Sequence, residues 1–159
     1  MDTRSHPYSR YAPHFNARDI EATLSGDGIG YLFLGRELGG RPKEEEFYDA
    51  AGRVDYARVE GSRPFVDGIH RLEKEIQARK VALLCSEEDL ACCHRRLLVG
   101  RALGERRIAI QHIRGDGSIQ TEGEPAGDQP ALFPDAEVSV RKSIRSVSRK
   151  RRRPSSSGH

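Results

Sequence analysis

The chain has 159 residues, 36% of them hydrophobic, and a formal net charge of +3, a length that allows one domain. With glycine counted and tyrosine left out, about 43% is apolar, just under the ~45–50% of globular chains, which excludes bulk disorder. The longest apolar run, residues 81–85, is far short of the ~20 a spanning helix needs, and Asp2 with no apolar stretch after it excludes a signal peptide, so a cytoplasmic protein without membrane contact is expected.

Asn16 is placed to cap a helix over residues 17–25, with Ile20 and Leu24 four apart as its buried stripe. Gly26, Asp27 and Gly28 end it, and residues 29–34, with Tyr31, Leu32, Phe33 and Leu34, read as a strand. Gly39 and Gly40 follow in a loop. Pro64 suits a first helical turn, and Phe65, Ile69, Leu72 and Ile76 recur at helical steps to about Lys80. Residues 81–85 run apolar without alternation, as a strand buried on both faces does. Leu97, Leu98, Ala102 and Leu103 mark another helix, stopped by Gly104, and residues 108–113 read as a further strand. Strands separated by helices predict an α/β fold: one domain over residues 1–140 with a mostly parallel sheet flanked by helices. Residues 141–159 hold Arg141, Lys142, Arg145, Arg149, Lys150, Arg151, Arg152 and Arg153 and no acid. This tail is therefore +8 against a −5 body, and it is expected to be disordered and able to hold nucleic acid loosely.

Cys85, Cys92 and Cys93 are odd in number and crowded into nine positions, which excludes a disulfide framework and suits a reducing compartment. No C-x-x-C pair or second cluster accompanies them, so no metal or other cofactor is expected.

Several segments share one further pattern. Asp2, Arg4, Ser5, Pro7, Ser9 and Arg10 spell D-x-R-S-x-P-x-S-R; residues 38–41 spell L-G-G-R; Leu83, Leu84, Cys85 and Glu87 spell L-L-C-x-E, followed by Cys93, His94 and Arg95. From Asp2 to Ile113 the chain resembles the Domain of Unknown Function 488 family, which shows these three motifs in this order. The resemblance implies no settled reaction. It also implies a glycine-containing strand and a helix ahead of the first motif, which this chain is expected to lack. Glu88 and Leu90 stand where members often carry a basic residue and a proline.

In open parallel sheets ligands bind beyond the strand ends, where all three motifs would fall. Arg4, Arg10, Arg41 and Arg95 are candidates for one anion-binding mouth, since guanidinium forks match phosphate oxygens; pairing with Asp2, Glu37 or Glu87 in a surface network is the alternative. Glu87 and His94 are candidates for acid/base work. Of the thiols, Cys93 has the neighbours that favour a thiolate, whereas Glu87, Glu88 and Asp89 after Cys85 would oppose one, so Cys85 reads as a packed hydrophobe. Ser86 and Asp89 form an S-x-x-D capping pattern. The function expected is binding of a phosphate-bearing ligand, a nucleotide or nucleic acid, and its hydrolysis or modification through Glu87, Cys93 and His94. The alternative is a non-catalytic nucleic-acid-binding or adaptor module acting through the basic tail.

Overall fold

The computed structural model describes residues 1–122; the expected boundary at residue 140 and the basic tail lie outside the described residues. Its helices are α1 (Ala17–Gly26), α2 (Tyr56–Glu60), α3 (Arg63–Ala78) and α4 (Arg101–Glu105), the last continuing a π-helical turn over Arg95–Gly100. Short 3-10 turns lie at Pro13–Phe15 and Glu45–Phe47, and two strands, β1 (Gln111–Ile113) and β2 (Ile119–Thr121), complete the order. No described helix is long and apolar enough to cross a membrane.

The expected parallel sheet is not formed. The described residues hold one two-stranded sheet, and β1 and β2 pair in it antiparallel, with His112 opposite Gln120. Residues 29–34 and 81–85 do extend beside the N-terminus, but each meets it in a single bridge, Asp2 with Phe33 and Asp2 with Leu84. Asp2 N donates to Leu32 O, Leu34 N to Asp2 O, Thr3 N to Leu84 O and Leu84 N to Met1 O. The run after α4 turns back on itself instead of joining them. Gly117 sits at φ +84°, Gly117 N donates to Arg114 O and Arg114 N to Ser118 O, the geometry of a three-residue hairpin loop closed by a glycine bulge.

Helix α3 forms as its pattern predicts. Ser62 Oγ accepts from Phe65 N, Pro64 lies in the first turn, and Phe65, Ile69 and Leu72 are buried along one stripe. They pack with Leu34, Leu38, Val54, Leu98 and Val99 into one core. Helix α1 lies outside that core and buries no residue fully; Asn16 precedes it without a side-chain cap, because its Oδ1 accepts from Ser9 N (2.6 Å). Gly104 lies inside α4 rather than after it, and the left-handed position falls to Arg107 (φ 59°).

A buried ion pair secures the bridged segment. Asp2 is fully buried; its Oδ1 accepts from Arg4 Nε (2.9 Å) and Arg4 N (3.0 Å), and its Oδ2 from an Arg4 terminal nitrogen (2.6 Å) and the Tyr31 hydroxyl (2.7 Å). Burial alone would raise the Asp2 carboxyl, but the hydrogen bonds from Arg4 and Tyr31 outweigh it and hold the group below its ordinary range.

Candidate functional site

A cleft of about 350 Å³ opens where the segments following Thr3, Leu38 and Leu84 leave the bridged core. The L-G-G-R loop shapes one wall. Leu38 is buried in the core. A Cβ at Gly39 would run into Ser5 Oγ and the Gly35 carbonyl, and one at Gly40 would lie 2.6 Å from His94 Cβ and Cγ. Arg41 N donates to Ser5 Oγ (2.9 Å). The loop is therefore an anchor, two close approaches open only to glycine, and a guanidinium carried to the rim.

Cys85 and His94 line the floor. Cys85 Sγ lies 3.5 Å from His94 Nδ1, and His94 Nε2 lies 3.0 Å from Thr3 O. A carbonyl only accepts, so Nε2 carries the ring proton and Nδ1 turns its lone pair to the sulfur. Burial pushes the His94 pKa below its ordinary value, which keeps the ring neutral. Cys93 Sγ donates to Cys85 Sγ (3.4 Å), and Glu87 N donates to the same sulfur (3.5 Å). The Cys93 hydrogen bond, the Glu87 and Ser86 amides and the Arg95 charge outweigh burial and lower the Cys85 thiol to about 6. Cys93 moves the other way, raised first by its hydrogen bond to Cys85 and then by burial.

This inverts the sequence reading of the two thiols. Cys93 is fully buried, whereas Cys85 is half-buried on the cleft. The acids after Cys85 do not oppose a thiolate because two of them turn away. Glu88 carries its carboxylate to Arg114 (3.2 Å) and Gly115 N (3.0 Å). Asp89 accepts from Ala91 N and Cys92 Sγ. What reaches the sulfur instead is backbone, the Glu87 N–H. Ser86 and Asp89 cap no helix, since residues 86–93 are not helical.

Of the four arginines, the cleft gathers Arg4 and Arg41. Arg4 is committed to Asp2 and, through a terminal nitrogen, to Phe15 O (2.8 Å). Arg10 stacks over the Tyr11 ring at 4.7 Å and does not line the cleft. Arg95 does not line it either; its Nε is buried without a hydrogen-bond partner among the described residues, and its charge acts on both thiols. Glu87 lines the wall. The base–orienter pair of His94 and the Thr3 carbonyl is invisible in sequence, because it joins residues 91 positions apart.

No curated protein and no solved structure matches the chain. A family model matches residues 1–102 of 159, the span that supplies the bridged segment, the glycine loop and the two thiols with their histidine. The chain belongs to the DUF488 family, a domain of unknown function.

Proposed function

We propose that the cleft binds a phosphate-bearing small molecule, a nucleotide being the natural class, and that Cys85 attacks it as a nucleophile. The observation that carries this reading is the Cys85–His94–Thr3 arrangement, a sulfur 3.5 Å from an imidazole nitrogen whose other nitrogen is tied to a carbonyl at 3.0 Å. A nucleophile, a base and a group that orients the base are the parts of covalent catalysis. Arg41 supplies the fork for the phosphate oxygens; it is exposed and lines the cleft. Cys85 attacks as the thiolate; as the S–P bond forms, the bond from phosphorus to the leaving oxygen breaks, and that oxygen takes a proton from solvent. Water then attacks the thiophosphoryl group, gives a proton to Nδ1, and the S–P bond breaks. Glu87, on the wall, is placed to orient that water. Cys93 serves as hydrogen-bond donor to the attacking sulfur.

Alkylation with iodoacetamide and peptide mapping tests the reading. Cys85 is expected to react first, and inorganic phosphate or a nucleoside monophosphate to slow that reaction. Cys85→Ser should abolish release of phosphate from nucleotides and p-nitrophenyl phosphate. Turnover by Cys85→Ser at the native rate, or alkylation indifferent to every phosphate, would overturn it.

A further inference from the structure

Two thiols and an imidazole meet at and just beneath the cleft floor, Cys85 and His94 lining it and Cys93 buried behind them. Cys85 Sγ, Cys93 Sγ and His94 Nδ1 all lie within 4.8 Å of one another. The Cys85–Cys93 separation is 3.4 Å and the Cys85–His94 separation 3.5 Å. Zinc bonds of ~2.3 Å to sulfur and ~2.0–2.1 Å to nitrogen, set tetrahedrally, put the sulfurs about 3.8 Å apart and sulfur and nitrogen about 3.5 Å apart. Two sides of the observed triangle thus lie within a few tenths of an ångström of that geometry, and the third, between Cys93 and His94, is no longer than 4.8 Å.

The histidine is already set for that role. Ligating histidines commonly donate their other N–H to a carbonyl or carboxylate, which fixes the tautomer and the ring plane; His94 Nε2 on Thr3 O does this at 3.0 Å, leaving Nδ1 as the free donor. Gly40 lets the loop close against the ring, which holds it in place. Cys92, although it lines the cleft, sends its sulfur to Asp89 Oδ2 (3.4 Å) and does not join the triangle.

We propose that Cys85, Cys93 and His94 form a binding site for a thiophilic divalent cation of the zinc class, with the fourth position open to the cleft. Binding displaces the protons still held by the sulfurs to solvent, and the two thiolates cancel the ion's double charge, so a largely buried site ends neutral. Two sulfurs and an imidazole select zinc over magnesium or calcium, which require oxygen ligands. Three protein ligands with an open fourth position distinguish such a site from a closed structural zinc. This site stands on the donor geometry alone and not on the nucleophile reading, although the ion engages the same sulfur and nitrogen and would silence Cys85 while bound.

The test uses the full chain, reduced and stripped of metal. Titration with cobalt(II) should give one ion per chain, with sulfur-to-cobalt charge transfer in the near ultraviolet and the intense visible bands of tetrahedral cobalt. Zinc should bleach both, and magnesium should change nothing. Cys85→Ser, at a half-buried position, should weaken zinc binding by at least the ~10-fold lost when a mere partner of a ligand is removed, while Cys92→Ser binds as the native chain does. In the native chain, zinc should protect Cys85 from thiol alkylation and leave Cys92 reactive, a readout independent of whether any variant folds. Absence of the charge-transfer band, or zinc protection that falls on Cys92 instead, would overturn the site. Phosphate-sensitive alkylation of Cys85 in metal-free protein would still stand in that event, so the two proposals fail separately.

Discussion

Replacing Asp2 with Asn isolates the buried ion pair that secures the bridged segment. Asp2 is fully buried and its partner Arg4 has a side chain only 10% exposed, so the substitution keeps the shape but leaves a buried guanidinium without its counter-charge. Removing one member of a buried pair costs about 3–5 kcal/mol, against the ~0–1 kcal/mol of an exposed one. With a urea dependence of about 1–3 kcal/mol/M for a small domain, the unfolding midpoint should fall by at least about 1 M. Equilibrium urea unfolding followed by circular dichroism measures this directly. The double variant Asp2→Asn with Arg4→Met should lose less than the sum of the two single losses, because it leaves no charge stranded. The reasoning fails if Asp2→Asn unfolds within about 1 kcal/mol of the native chain, the behaviour of a solvated pair.

Further outcomes follow from the same geometry. Because the folded Asp2 carboxyl lies below its ordinary 3.8, its contribution is complete above about pH 4 and is lost as pH falls through the lowered folded value. The acid limb of stability against pH should therefore be shallower in Asp2→Asn than in the native chain. Gly40→Ala puts a methyl 2.6 Å from His94 Cβ and Cγ, so metal-free protein should show slower Cys85 alkylation with its helical circular dichroism retained; an unchanged rate would show that the loop gives way. His94→Asn should cut any phosphate release about 100-fold or more, the lower range for a general base, as measured by initial rates. Ser62→Ala removes the side chain that accepts from Phe65 N and should lower stability by about 1 kcal/mol in the urea assay.

What the sequence alone determined is local. The steps Phe65, Ile69, Leu72 and Ile76 specify α3 because a helix buries one stripe whatever surrounds it, and the cap at Ser62 and the proline at its start act within a single turn. The three family motifs were equally readable, since each is a run of neighbours. The hairpin turn is local as well, in Gly115, Asp116 and Gly117, two residues beyond the extended run that ends at Ile113. Only the tertiary structure decided that three extended segments meet in single bridges through Asp2 and not in a parallel sheet. An apolar run states that a segment is buried, whereas a ladder requires a partner of matching length and register, and the segment around Asp2 offers each neighbour one residue. The same limit governs the site. Whether an acid opposes a thiolate depends on where its carboxylate points, and Glu88 points to Arg114 while the Glu87 amide meets the sulfur. Charge order along the chain predicted the opposite thiol, because electrostatic effect follows distance in space and not separation in sequence.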